Sequence, residues 1–388
     1  MYKVTNALFD EGGKEQRREY ILEDEEGLVY PLIPNGFLRK HSMNSIQTGK
    51  QYAYKLAQYL NYLLVFKEKN YLEATDEDII DFFYAYSTSS TSKEMIRKRA
   101  GEKVISISNY RKSISSVQLM ETVLVGFYLY ARGRGKEIKI TIYEREMPNT
   151  KSYFHGQTWS KKAYAFADTG ELRKREKRTH IKWYSPEEID CIMSGFQTIR
   201  DKAIFSFLLE GMRIDEVLSL RYQDYHENEG YVELYRSKGR ITGAVDRTVQ
   251  LSNRSIKLVN DYIETERYEV IRIKLKNKES LPHNLFINLR KGAFLGAEVS
   301  YRNYLDILKR AGSKAGFSKD EIRTHSGRST HTMELLHARQ DNPEITYDMI
   351  QQIMGWRSAD SIQPYINKQD KQIAKKISEK LKRGKYDV

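Results

Sequence analysis

Apolar residues recur at helical spacing in the first half of the chain, between residues 44 and 133. Positions three or four apart share one face of a helix, so the pattern predicts amphipathic helices. Their apolar positions are Leu56, Tyr59, Leu60 and Leu63; Ile79, Phe82, Phe83 and Tyr86; and Ile114, Val117, Leu124, Phe127 and Tyr128. Thr75 and Asp78 form a predicted capping pair, and Gly133 ends the last helix. We predict a compact all-helical domain over residues 44–133.

The segments that flank this domain lack sustained periodicity. Residues 1–43 are polar, and we interpret them as a small N-terminal extension. Residues 134–180 are interpreted as a basic linker, which carries Arg173, Lys174, Arg175, Lys177 and Arg178. Such a charge block is usually a solvated linker, and the alternative is a strap on a phosphate backbone.

A strong helix start marks a second domain, which we place at residues 181–388. Ser185-Pro186-Glu187-Glu188 supplies an N-cap, a first-turn proline and a glutamate at the third helical position. Apolar and polar residues then alternate at 231–235 and 247–251, with two glycines between them, which indicates a hairpin. The predicted fold class is therefore mainly α with a small antiparallel β-sheet.

The charge balance favours a polyanionic partner. The 388 residues include 65 Lys+Arg and 52 Asp+Glu, a net charge of +13. Nucleic acid, an acidic membrane surface and an acidic protein all remain open on this ground. The single cysteine, Cys191, excludes a disulfide framework within one chain. No signal peptide is evident, and no stretch approaches the roughly 18 consecutive apolar residues of a membrane helix. We expect a cytoplasmic protein with no membrane partner.

Six residues of the second domain form a candidate catalytic set. They are Arg213, at a glycine-containing entry into a helix; Lys238, in the hairpin loop; His325 and Arg328, at the start of another helix; Trp356; and Tyr365, nine positions after the tryptophan. Each alone has an ordinary explanation, since the chain has 28 tyrosines and many basic residues. Arg236 or Arg240 could also take the place of Lys238. The six residues are interpreted as a catalytic set because they occur together in this order and at this spacing.

In this order the residues resemble the tyrosine recombinase (phage integrase) family, over about residues 181–375. The resemblance implies that Arg213 and Arg328 clamp a phosphate, that Lys238 is the hairpin lysine and that Tyr365 is the nucleophile. His325 becomes the histidine of a His-x-x-Arg motif. Trp356 falls where many members have histidine and some have tryptophan. Residues 44–133 look similar to the family's SAM-like core-binding domain, so the two domains are expected to form a C-shaped clamp on DNA.

Two features depart from the family pattern. The chain between Arg328 and Trp356 is a few residues longer than usual, with 337–342 as the expected insertion. Ser329 stands where histidine is frequent. Neither change removes a reacting group.

The chemistry explains why these residue types are needed. Two guanidiniums can bind the non-bridging oxygens of a phosphodiester with fixed geometry and permanent charge. A tyrosine hydroxyl, with a pKa near ~10, needs cationic neighbours or a base such as His325. Lys238 can protonate the leaving 5′-oxygen. The covalent phosphotyrosine conserves the bond energy, so we expect no cofactor, no ATP and no metal ion.

The resemblance implies a site-specific recombinase that works through a 3′-phosphotyrosine and a Holliday junction, as a homo-tetramer on double-stranded DNA. Residues 1–43 and the long linker favour a bacterial mobile-element integrase or transposase, with an accessory directionality factor as a candidate partner. The alternatives are a type IB topoisomerase-like enzyme and a catalytically silent DNA-binding accessory protein. Further DNA-binding candidates are Lys50, Lys55, Arg111, Arg173, Lys174, Arg175, Lys177, Arg178 and Arg240.

Overall fold

The computed structural model of the chain describes residues 1–9, 17–28, 32–88, 112–147, 161–166, 182–235, 247–318, 321–356, 358–369 and 378. The chain divides into two compact units, Met1–Arg178 and Thr179–Val388. Helices dominate both units; among the described residues, the first unit carries two small antiparallel sheets and the second carries one. The predicted fold class is confirmed.

The described part of the N-terminal unit combines two hairpins with four α-helices. Strand β1 (Lys3–Phe9) pairs with β2 (Arg17–Glu23), and β3 (Ile142–Met147) pairs with β4 (Lys161–Phe166). The helices are α1 (Leu32–Asn44), α2 (Ile46–Tyr62), α3 (Asp76–Thr88) and α4 (Ile114–Gly133), and a π-helical turn at Leu63–Lys67 extends α2.

Capping side chains fix where these helices begin. The Ser45 hydroxyl accepts a hydrogen bond from the backbone N–H of Thr48 at the start of α2. The Asp78 carboxylate accepts the backbone N–H of Thr75 at 3.0 Å, as the sequence predicted. Each contact satisfies an N–H group that has no partner within the helix.

One aromatic core fills the unit. The hydroxyls of Tyr59 and Tyr128, both fully buried, share a hydrogen bond at 2.6 Å. Leu22 of β2 and Phe37 of α1 pack into the same core, although they precede residue 44. Phe166 of β4 does so as well, although it lies in the predicted linker. Charged residues on β3 and β4 obscure the alternation there, so the sequence pattern did not indicate this hairpin.

Helix α4 is the one helix of the described residues that is long and apolar enough to cross a membrane, judged by length and composition. Its side chains Val117, Leu124 and Phe127 are buried in the aromatic core. In this structure α4 is therefore the central helix of the unit.

The C-terminal unit carries the candidate catalytic set. Its described helices are α5 (Pro186–Gly195), α6 (Ile199–Leu209), α7 (Ile214–Ser219), α8 (Asn253–Tyr262), α9 (Tyr268–Lys276), α10 (Tyr301–Lys314), α11 (His325–Asp341) and α12 (Tyr347–Ile353). Strands β5 (Tyr225–His226), β6 (Tyr231–Leu234) and β7 (Arg247–Gln250) form an antiparallel sheet in that order. Two of these strands and the capping box at Ser185 match the predictions.

Helix α6 is the centre of this unit, because every side chain from Ala203 to Leu208 is buried. A helix that is apolar all round must be enclosed by other elements. The start of α11 lies directly against the end of α6. A Cβ atom added at Gly327 would stand 2.9–3.0 Å from side-chain and backbone atoms of Leu208. This close approach brings His325 and Arg328 to the turn that carries Arg213.

Substitution of Gly327 by alanine tests that approach. We expect Gly327→Ala to destabilise the C-terminal unit by about 1–3 kcal/mol, because the added methyl group forces α6 and α11 apart. Amide hydrogen exchange in α6 would report the loss. Gly133→Ala is the matched control, since Gly133 ends α4 with open space around it. Equal protection of α6 in both variants would contradict the packing argument.

Candidate active site

Arg213 lies where a tight turn enters helix α7. Gly211 has a φ of +82°, and Arg213 is the N-cap residue of the helix. The Arg213 backbone N–H donates to Glu216 Oε2 at 2.7 Å, and its Nη1 donates to Glu216 Oε1 at 2.6 Å. Nη2 donates to the Gly355 carbonyl at 3.3 Å. The side chain keeps 29% of its surface exposed, so it remains accessible to a ligand.

Arg328 is the most deeply buried charged residue of the site, at 1% exposure. Nη1 donates to the Gly211 carbonyl and Nη2 to the Met354 carbonyl. Its Nε is buried and has no hydrogen-bond partner among the described residues. Burial, Arg213 and Arg247 lower the pKa of Arg328 to about 9, so the guanidinium stays charged at neutral pH.

The end of helix α12 supplies the acceptors for these side chains. The last carbonyls of a helix lack partners within it and form the negative end of its dipole. Here the carbonyls of Ile353, Met354 and Gly355 each accept a hydrogen bond from a different arginine. The donors are Arg247, Arg328 and Arg213, respectively.

Glu216 balances part of this positive charge. Burial opposes its ionisation, but the guanidiniums of Arg247 and Arg213 outweigh that effect and lower the pKa of Glu216. The carboxylate is therefore ionised at neutral pH. Three guanidiniums and one carboxylate leave a local excess of positive charge, which suits an anionic ligand such as a phosphodiester.

Tyr365 lies beside this cluster. Residues 363–369 are helical, and Tyr365 is 6% exposed. Its ring stacks on Trp356 with a centroid distance of 5.8 Å, and the Arg328 Cζ lies 5.8 Å from the Trp356 ring. The Tyr365 hydroxyl is 3.2 Å from the Ser329 hydroxyl. Because the Tyr365 ring and the Arg328 guanidinium lie against the same indole, the phenol is close to the Arg328 side chain of its own chain.

His325 begins helix α11 at the exposed edge of the site. Loss of solvation, together with the charges of Arg328 and Arg213, lowers the pKa of His325 below its usual 6.5. The neutral imidazole, which can accept a proton, therefore predominates at neutral pH.

The structure brings together five of the six predicted residues: Arg213, His325, Arg328, Trp356 and Tyr365. Lys238 lies outside the described residues. The sequence reasoning missed Glu216 and Arg247. Glu216 follows the N-cap residue by three positions, which is the spacing typical of a capping glutamate. This spacing could have indicated that Glu216 contacts Arg213. Arg247 carried no such signal, because its partners lie 31 and 106 positions away.

The predicted DNA-binding residues divide into two groups. Lys50 and Lys55 lie in the N-terminal unit, where Lys50 faces the Tyr20 ring at 5.7 Å and Lys55 donates to the Tyr86 hydroxyl at 2.7 Å. The others lie outside the described residues: Arg111, Arg173, Lys174, Arg175, Lys177, Arg178 and Arg240. Within the described ranges, no group of three or more His, Cys, Asp or Glu side chains is arranged to hold a metal ion.

Comparisons with known proteins agree with this fold. Residues 182–372 match the phage integrase family. Transposase A of transposon Tn554 from Staphylococcus aureus is 26% identical over 345 residues, which cover 83% of this chain and 84% of the relative. The solved structure of XerH site-specific recombinase bound to its difH substrate has a TM-score of 0.51 and 15% identity, over 85% of this chain and 79% of that one.

A second solved structure has the same fold. The Tn1549 transposon integrase in complex with circular intermediate DNA has a TM-score of 0.51 and 14% identity, over 86% of this chain and 94% of that one. The fold and the arginine–tyrosine cluster define a tyrosine recombinase. Residues 182–372 of the chain belong to the phage integrase family.

The lowered pKa of His325 predicts a pH dependence. Above that pKa the imidazole is neutral and can accept a proton; below it the imidazole is charged and cannot. We expect single-turnover DNA cleavage to be constant near pH 7–8 and to fall as the pH drops through the lowered pKa, below about 6.5. His325→Gln should lack this acidic limb. A wild-type rate that rises towards acidic pH would contradict the assignment.

Proposed function

We propose that this chain is the site-specific recombinase of a mobile element, an integrase or transposase that cuts and rejoins DNA strands through a phosphotyrosine at Tyr365. The observation that carries the proposal is that the Tyr365 ring and the Arg328 guanidinium both lie against the Trp356 ring, each at 5.8 Å. It puts a nucleophile next to a cluster that has an excess of positive charge.

In the proposed reaction, the scissile phosphate binds where Arg213 and Arg328 converge. The exposed part of Arg213 is a donor that a phosphate oxygen can use, and the Arg328 Nε becomes one when the groups that cover it move. Bidentate guanidinium contacts stabilise the extra charge that builds on the non-bridging oxygens during attack.

The proposed bond changes balance within the site. The Tyr365 oxygen forms a bond to phosphorus as the phosphorus–O5′ bond breaks, which leaves a 3′-phosphotyrosyl link and a free 5′-hydroxyl. His325 takes the tyrosine proton, and Lys238 supplies a proton to the leaving oxygen. Religation reverses these steps with a new 5′-hydroxyl. Neither ATP nor a metal ion enters the scheme.

The mobile-element role draws on the relatives. The similarity to transposase A of Tn554 extends over 83% of this chain and reaches beyond the family match into the N-terminal unit. We propose that double-stranded DNA contacts both units, and that four copies act together at a Holliday junction. The basic side chains at Lys50, Lys55 and residues 173–178 are the proposed backbone contacts.

The covalent intermediate can be detected directly. A nicked suicide duplex, made from DNA that flanks the coding region, traps the cleaved strand because the short product diffuses away. We expect wild-type protein to give a shifted band in SDS, and Tyr365→Phe to give none, since phenylalanine lacks the hydroxyl that forms the ester. Tyr268→Phe, an exposed tyrosine on α9, is the control and should retain the band. A band that survives in Tyr365→Phe would refute the proposal.

Plasmid relaxation separates the proposal from a type IB topoisomerase. A topoisomerase relaxes any supercoiled plasmid as a monomer, whereas a recombinase requires its own sites. Relaxation of site-free plasmids at a rate similar to that of site-bearing ones would favour the topoisomerase.

The C-terminal segment supports a test of assembly. Residues 371–388, which apart from residue 378 lie outside the described residues, are rich in lysine and contain Ile373, Ile377 and Leu381 at helical spacing. We propose that this segment is donated to a neighbouring subunit. Deletion of residues 371–388 should abolish cooperative assembly on a two-site DNA and leave single-site binding and the fold intact. Mobility-shift titration measures both. Unchanged cooperativity would remove the segment from the assembly.

A further inference from the structure

Arg247 is a third arginine of the site, and it has no place in the proposed reaction. It is the first residue of strand β7, and its side chain is 8% exposed. Nη1 donates to the Ile353 carbonyl, and Nη2 donates to Glu216 Oε2 at 2.9 Å and to the Gly211 carbonyl at 3.5 Å. One guanidinium thus ties the turn before α7, the helix α7 itself and the end of α12.

The contact with Glu216 changes what Arg213 can offer to a ligand. Arg213 uses Glu216 Oε1 with its side chain, and Arg247 uses Oε2. A carboxylate that served Arg213 alone would neutralise most of its charge. Because two guanidiniums share this carboxylate, Arg213 keeps a larger part of its charge for an anion.

At Gly355 the backbone packs closely against the Arg247 side chain. A Cβ atom added at Gly355 would stand 2.9 Å from Arg247 Cδ, and the glycine has a φ of +57°. The segment that leads to Trp356 therefore lies against the aliphatic part of the Arg247 side chain. This contact links Arg247 to the tryptophan on which Tyr365 stacks.

We infer that Arg247 is a positioning residue for strand cleavage: it holds Glu216 so that Arg213 points its charge at the scissile phosphate. The inference rests on the proposed function of Arg213 as a phosphate-binding group. Arg247 acts through Glu216 and Arg213 and makes no contact with the reacting atoms in the proposed scheme.

The experiment compares two substrates, an ordinary phosphodiester and a methylphosphonate at the scissile position. The methylphosphonate lacks the negative charge that Arg213 stabilises. We expect Arg247→Met to slow single-turnover cleavage of the phosphodiester about 100-fold relative to wild type, and cleavage of the methylphosphonate by less than about fivefold. A residue needed only for folding would lower both rates by the same factor.

Two further variants keep the test decisive. Arg247→Lys retains the charge and should lose less activity than Arg247→Met on the phosphodiester. Adding Glu216→Gln to Arg247→Met removes the unshared carboxylate charge and should recover about tenfold of the lost rate, since coupled residues are non-additive. Arg254→Met is the matched control, because Arg254 forms an exposed ion pair with Asp190 and should leave both rates unchanged.

The outcomes distinguish failure of the proposed recombinase function from failure of the positioning role of Arg247. If wild-type protein forms no covalent complex with its DNA, the proposed function fails. If wild-type protein cleaves but Arg247→Met loses the same factor on both substrates, or loses nothing on the phosphodiester, the role of Arg247 is overturned and the proposed function stands.

Discussion

The hydrogen bonds between three arginines and a few backbone carbonyls hold the candidate active site together. Arg328 joins Gly211, 117 residues earlier in the chain, to Met354, and Arg213 reaches Gly355 across 142 positions. Burial of a guanidinium without hydrogen-bond acceptors costs free energy. Arg328 can therefore be buried only because these carbonyls accept its hydrogen bonds. The same carbonyls end helix α12 without partners of their own. The guanidiniums thus satisfy these carbonyls, and the carbonyls satisfy the guanidiniums. These hydrogen bonds bring three segments that are distant in the sequence together at the site.

The same arrangement suits a phosphate as a second partner. The carbonyls and Glu216 occupy part of the donor capacity of the arginines and leave the Arg328 Nε and part of Arg213 unused. In the proposed function, a phosphodiester binds the exposed part of Arg213, and a local shift uncovers the buried Arg328 Nε as a further donor. Such preorganisation is what makes electrostatic stabilisation of a transition state effective. In that state the Tyr365 hydroxyl leaves Ser329 and is directed at the phosphorus.

Much of this could be read from the sequence, because the relevant signals are local. Apolar spacing predicted α2, α3 and α4, a capping pattern predicted α5, and strand alternation predicted β6 and β7. Fixed order and spacing singled out Arg213, His325, Arg328, Trp356 and Tyr365. The hairpin β3–β4 and the contribution of residues before 44 were missed, since charged residues and short elements mask their periodicity. Glu216 and Arg247 were missed because their importance arises from contacts between distant segments, which no local pattern encodes.

The central claim is that the arginine cluster and Tyr365 surround one phosphorus atom. Its most direct test is a structure of the protein with cleaved DNA ends and orthovanadate, which forms a five-coordinate analogue of phosphorus under attack. The account predicts vanadate oxygens bound by Arg213 and Arg328, with the Tyr365 oxygen in an apical position. Vanadate bound away from the arginines, with Tyr365 still in contact with Ser329, would contradict it.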